Sequence, residues 1–322
     1  MMRDHGGNLD WAIERFGGTP ADWIDLSTGI NRVPYPVPDL STASWRALPG
    51  QAAMARLIAA ARGAYGCTAP MLALAGAQDA IQLAPRLRAP GQARVLAPTY
   101  NEHAACLLAA GWQVTEVADL GALAGADLAV VVNPNNPDGQ THTPAALRAL
   151  IGSVGLLVVD ESFADPYPAL SLAADCGADG LIVLRSFGKF YGLAGLRLGF
   201  AIGPAAEIAA LAEMVGPWPV SGAAQEIGAI ALADRGWAAA TTARLAIEAD
   251  RIDRLAIAAG WALRGGTALF RLYDTGDADA ARAKLARARI WSRRFPLQPG
   301  WLRLGLPGDA AEWARLTAAL EA

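Results

Sequence analysis

The chain has 322 residues, 53% of them apolar, and a formal net charge of −3. That length holds one large domain and one smaller one with a sizeable core, and the weak negative charge removes any electrostatic case for nucleic acid. Cys67, Cys106 and Cys176 are odd in number and far apart, so neither a disulfide framework nor a zinc site is expected. No apolar run reaches the roughly 18 residues of a membrane helix. The opening Met-Met-Arg-Asp-His-Gly-Gly-Asn does not read as a signal peptide, so a cytoplasmic soluble protein is expected.

In chain order, residues 1–50 contain Pro34, Pro36, Pro38 and Pro49 and read as an extended arm with turns, packing on the C-terminal region or on another subunit. Short aliphatic runs then alternate with Ala-rich helical patterns. Strands are predicted at 93–97, 128–132, 155–160, 181–184 and 198–202, and helices at 79–87, 102–110 and 144–151. Such alternation predicts an α/β fold with a mostly parallel sheet covered on both faces, whose ligands sit beyond the carboxyl ends of the strands. Residues 223–259 read as largely helical. Beyond them, strands are predicted at 268–273, 290–294 and 301–306, giving a smaller α+β region. The domain reading is an arm over 1–50, a large domain over 51–240 and a small domain over 241–322.

Of the 27 basic residues only two, Lys189 and Lys284, are lysine. Arginine replaces lysine as a charge but not as a nucleophilic amine. Lys284 falls in a pattern that reads as a solvated helix face. Lys189 lies in a segment rich in Gly, aromatic and aliphatic residues, where an amine suits a Schiff base. Three strand ends carry related chemistry in order. Asn133-Pro-Asn-Asn-Pro-Asp-Gly139 makes a rigid turn after one strand. Asp160 and Glu161 end another. Ser186, Lys189 and Arg197 follow a third. Gly76-Ala77-Gln78 opens a helix after an apolar run, and free N–H groups at such a start suit a phosphate.

This set resembles the fold type I pyridoxal-phosphate enzymes of the aspartate aminotransferase superfamily, over about residues 5 to 305. The resemblance implies a three-layer sandwich for the large domain and a homodimer. It implies that Lys189 carries the cofactor, that Asp160 faces the pyridine nitrogen and that Asn136 bonds the ring oxygen. Gly76, Ala77, Gln78, Ser186 and Arg197 would hold the phosphate, and Tyr100 would stack on the ring. Two positions depart from the pattern: Phe163 and Leu48 stand where relatives often have tyrosine.

His5-Gly-Gly-Asn, the arm Ser27-Thr-Gly-Ile-Asn31 and the Lys189 segment together look like the threonine-phosphate decarboxylases of cobalamin biosynthesis, which lie close to histidinol-phosphate aminotransferases. That likeness implies conversion of L-threonine O-3-phosphate to CO2 and (R)-1-amino-2-propanol phosphate. It implies substrate contacts from His5, Asn31 and Asn136, with Arg293 on the substrate phosphate and Arg303 on the carboxylate; Arg294 is open as an exchange for Arg293. An aminotransferase acting on a phosphorylated amine, and a non-catalytic partner in corrinoid assembly, are the alternatives.

Overall fold

The computed structural model describes residues 6–177 and 179–322. They divide into two compact units. The larger comprises Tyr35–Asn136 and Gln140–Ala238. The smaller comprises the described residues up to Pro34, together with Pro137–Gly139 and Ala239–Ala322. None of the described helices is long and apolar enough to cross a membrane.

The larger unit is built on seven strands: β1 (Met71–Leu74), β2 (Gln92–Leu96), β3 (Gln113–Val117), β4 (Leu128–Val132), β5 (Leu157–Asp160), β6 (Leu181–Ser186) and β7 (Gly199–Ile202). Their order is β1-β7-β6-β5-β4-β2-β3. Strand β7 runs antiparallel to both neighbours, and every other pairing is parallel. The sequence reading anticipated the buried β4 to β7. It missed β1, read only as an apolar run before a helix, and β3, whose Gln-Val-Thr-Glu-Val is mostly polar because it forms the sheet edge. Strands β4 to β6 are buried on both faces, which explains why they read as aliphatic runs rather than as alternating patterns.

Helix α1 (Gln51–Tyr65) ends on Gly66, whose φ of 63° closes it in the left-handed region. It packs on the helix Gly222–Ala233. A Cβ on Gly228 would lie 2.5 Å from a methyl of Leu198 and 2.8 Å from one of Leu57, so a larger residue there would push both leucines aside. On one sheet face, α2 (Ala77–Leu83) and α3 (Glu102–Ala109) bury Ile81, Cys106 and Leu107 against Val130, Val158, Ile182 and Leu184.

In the smaller unit, Arg293–Phe295 (β10), Gln298–Gly305 (β11), Phe270–Asp274 (β9) and Ala262–Thr267 (β8) form an antiparallel sheet in that order. The prediction at 268–273 takes in the hairpin turn Ala268-Leu269 and most of β9. Gly265 and Gly266 hide β8 from a pattern-based reading. The first residues correct the extended-arm expectation. Leu9–Phe16 is a helix capped by Asn8, and Ile24–Asp25 pairs in parallel with Ile290–Trp291. Prolines at 34–49 lie beyond both elements. The helix buries Ala12 in a cluster with Trp23, Ala286 and Trp291.

Candidate active site

Asp160 is the last residue of β5 and is 2% exposed. Its Oδ2 accepts a 2.9 Å bond from Nε2 of His103, itself buried on α3. Its Oδ1 accepts from the backbone N–H of Ser162 at 2.9 Å and from that residue's hydroxyl at 2.5 Å. Burial alone would raise this carboxyl. The bonds from His103 and Ser162 outweigh burial and hold it below its ordinary value, as an anion in the core. The two bonds from Ser162 show that Asp160 also caps the turn after β5.

Strand β6 delivers the next groups. Ser186 is its buried last residue, and Phe187–Phe190 (α4) follows at once, carrying Lys189. Phe187 is fully buried and stacks on Tyr191, with ring centroids 4.4 Å apart and planes 7° from parallel. This packing anchors the turn on either side of Lys189. The lysine is half-buried, and its Nζ lies 5.6 Å from the ring centroid of Phe163.

Gly76 caps the N-terminus of α2 with φ of 93°. A Cβ there would lie 2.8 Å from Nη2 of Arg197, so glycine leaves a cradle between the helix start and the guanidinium. Arg197 donates to the carbonyls of Ala75 and Ala194, both at 3.3 Å. Gly199 is equally confined: its Cβ would meet the backbone nitrogen of Ala77 at 2.3 Å. Tyr100 sends its hydroxyl to Oε1 of Gln78 at 3.2 Å and meets His103 edge-on. In the asparagine turn, Asn133 bonds the backbone of His142 both ways, and Asn135 donates to the Pro98 carbonyl and accepts from Thr99. Two of the three asparagines therefore hold the loop. Asn136 follows them, half-buried.

All nine candidate cofactor residues belong to the larger unit. Asn31, Arg293 and Arg303 belong to the smaller one, and His5 lies outside the described residues. Asn31 is buried, and its Oδ1 accepts from Nη2 of Arg244 at 2.8 Å and from the Val33 N–H at 3.1 Å. Arg293 and Arg303 are directly opposed across the β10–β11 ladder, on one face. Arg303 is buried, donates to the Ser27 carbonyl at 2.9 Å and lies 4.9 Å from the Phe270 ring centroid. Burial first, then the charge of Arg293, push it down to about 9 against a small opposing pull from Asp25. Arginine stays protonated at neutral pH, so two like charges share this face of the strand pair. Arg294, on the other face, is engaged by Asp279 at 3.2 Å. Of the Gly6-Gly7-Asn8 run, Gly6 fits against the Ser27 carbonyl, Gly7 donates to the Ser27 hydroxyl and Asn8 caps the first helix.

The aminotransferase class I and II family matches residues 49–320. A threonine-phosphate decarboxylase of Pseudomonas aeruginosa is 46% identical over 99% of this chain and 97% of its own. This chain belongs to the aminotransferase class I and II family. A second threonine-phosphate decarboxylase, from a Sinorhizobium species, is 43% identical over 98% of this chain and 97% of its own. Among solved structures, the histidinol-phosphate aminotransferase of Sinorhizobium meliloti, in complex with pyridoxal 5'-phosphate, has a TM-score of 0.84. It covers 97% of this chain and 93% of its own, at 22% identity.

As a member of this family the chain is a pyridoxal-phosphate-dependent enzyme. Its own residues fit that cofactor: the cradle at Gly76 beside Arg197 suits a phosphate, and the buried anion of Asp160 suits a protonated ring nitrogen. At the two departures, Phe163 brings an apolar ring near Lys189 and Leu48 is 68% exposed. Sequence reasoning missed His103 and Ser162. The i, i+3 spacing of Tyr100 and His103, at the start of a helix following a strand end, was the available signal for the first.

Proposed function

We propose that this enzyme removes the carboxyl group of L-threonine O-3-phosphate as CO2 and yields (R)-1-amino-2-propanol phosphate, a step in cobalamin biosynthesis. The observation that carries the reading is the 46% identity, over nearly the whole of both chains, to a threonine-phosphate decarboxylase. The opposed Arg293 and Arg303 support it, because a substrate with a carboxylate and a phosphate brings two anions to two guanidiniums.

In this reading, bound pyridoxal phosphate supplies a protonated ring that takes up the electron pair left when CO2 departs. Lys189 would hold the cofactor through its amine, and the same amine would return a proton to the substrate Cα. Asp160, kept ionised by His103 and Ser162, holds the proton on the ring nitrogen. The backbone N–H groups at Ala77 and Gln78, over the space left open at Gly76 and together with Ser186 and Arg197, bind the cofactor phosphate. Tyr100 covers the ring and Asn136 bonds its hydroxyl oxygen and faces substrate. Arg303 takes the substrate carboxylate and orients the bond to be broken. Arg293 takes the substrate phosphate, and Asn31, fixed by Arg244, contacts the substrate as well. His5 completes the substrate set.

We place the enzyme in the cytoplasm, a setting that suits its three buried free thiols. We also propose a homodimer. Trp45, Leu48 and Trp218 are exposed on the larger unit and supply apolar surface that a second copy would cover.

A paired assay tests the reaction. Purified enzyme given threonine phosphate should release CO2 with no keto acid present. Turnover that requires a keto acid and releases no CO2 would instead assign an aminotransferase. Borohydride should fix the cofactor onto Lys189, and a Lys189→Ala variant should form no adduct.

A further inference from the structure

A buried ionic cluster lies behind the residues assigned above, and none of its members has a part in the proposed chemistry. Side chains alternate across a sheet. Asp160 on β5 and Leu184 on β6 face the α2–α3 side, so Glu161 and Arg185 project to the opposite face. There Arg185, with a side chain only 4% exposed, donates from Nη1 to Glu161 at 2.8 Å and from Nη2 to Asp165 at 2.9 Å. Its guanidinium lies 4.3 Å from the ring centroid of Tyr65, the last residue of α1. Glu161 is held in turn by the Ser171 hydroxyl at 2.5 Å and the Leu172 N–H at 2.6 Å.

The cluster is poorly suited to stabilising the fold. The Arg185 Nε, the Asp165 Oδ2 and the Tyr65 hydroxyl have no hydrogen-bond partner. Each such buried atom costs stability, and apolar side chains of similar volume commonly serve as well as a buried ion pair. What a forked guanidinium provides, and an aliphatic chain does not, is direction. Arg185 is the residue before Ser186 and lies four before Lys189. Its two partners, Glu161 and Asp165, bracket Phe163, whose ring lies 5.6 Å from the Lys189 amine. Glu161 directly follows Asp160, and its N–H forms a rung to Leu184 at 2.9 Å. One side chain thus ties the strand end carrying Ser186 and Lys189 to the segment carrying Asp160 and Phe163.

We infer that Arg185 is a positioning residue, which fixes the placement of Lys189 against Asp160 and Phe163 by gripping Glu161 and Asp165 from the far side of the sheet. The charges fit this arrangement. Burial works against the Arg185 cation, but Asp165 and Glu161 outweigh it and hold its proton more tightly than usual. The inference rests on Lys189 being the cofactor-bearing lysine.

The test removes the charges together, so that no buried ion is left unpaired. The triple variant Arg185→Met, Glu161→Gln, Asp165→Leu should melt, without cofactor, within about 4 °C of the parent. The holoenzyme's visible absorbance band, titrated with pH and without substrate, should shift its midpoint by about half a unit or more. The kcat should fall by about tenfold or more, with KM changed by less than about twofold, because misplacement by a fraction of an ångström acts on the reacting geometry. Arg185→Lys keeps the charge but loses the fork, and should show a smaller change of the same kind. A folded triple variant with the parent's band midpoint and kcat would overturn the inference. If the triple variant does not fold, the lysine variant decides: an unchanged midpoint and kcat would overturn it equally. The band midpoint is read without substrate, so a wrong substrate assignment leaves it interpretable.

Discussion

Asp160 and Arg303 are both buried charges, but their surroundings treat them differently. Asp160 is supported by His103 and two bonds from Ser162, which overcome the cost of burial. Replacing His103 with Phe keeps an aromatic ring, though a larger one, and removes one donor to an ionised group, a contact worth roughly 1.5–3 kcal/mol. His103→Phe should therefore weaken pyridoxal-phosphate binding and lower kcat by at least about tenfold, measured by cofactor titration and steady-state kinetics. Arg303 is opposed by burial and by Arg293. In the proposed function the substrate's two anionic groups would offset this pair of charges. Arg294 faces away and already serves Asp279. Arg293→Ala should raise KM for threonine phosphate by about thirtyfold or more, as expected for a lost charge-assisted contact, while Arg294→Ala stays within about threefold. Equal effects would sink the assignment of Arg293. The sequence could not separate these two neighbours; the strand does, because consecutive residues face opposite ways.

At the level of elements, the candidate cofactor residues gather where strands end and helices start. Gly76 illustrates the constraint. Its φ of 93° strains any other residue, and a Cβ would displace the Arg197 guanidinium, 2.8 Å away. Gly76→Ala incurs backbone strain on the order of 1–3 kcal/mol and fills the cradle. Cofactor affinity should fall by about tenfold or more, while the melting temperature of the cofactor-free protein moves by only a few degrees, about 2–8 °C. The motif Gly-Ala-Gln was legible in the sequence, since glycine before a helix is a recognisable start. Its pairing with Arg197, 121 positions further on, was suggested by resemblance and appears physically only when β7 lies beside β1. Lys284 shows the limit of pattern reading. It reads as solvated, but it is half-buried and donates to the Leu320 carbonyl at the end of the last helix.

For the whole molecule, acid response follows from the carboxylates. Asp160 and Glu312 titrate below their ordinary values when folded. Glu312 does so because Arg32 and the Gly308 N–H outweigh its burial. The unfolded chain then binds more protons in acid, so these groups contribute stability above about pH 4.5 that is lost as pH falls through their folded values. Asp165 is raised by burial and works in the opposite sense, as protonation favours its folded form. Urea midpoints should be flat from about pH 7 to 5 and fall below about pH 4. Arg32→Met should flatten the part of that fall due to Glu312. The sequence by itself determined the α/β class and the order of the strand-end groups, and it singled out Lys189 as the candidate amine, because buried aliphatic strands and a rare lysine leave local marks. Only the tertiary structure decided which donors keep Asp160 charged, which arginine faces Arg303, and that Arg185 holds Glu161 and Asp165 together. Those facts depend on neighbours brought together by strand register and helix packing, and such contacts leave no periodicity along the chain.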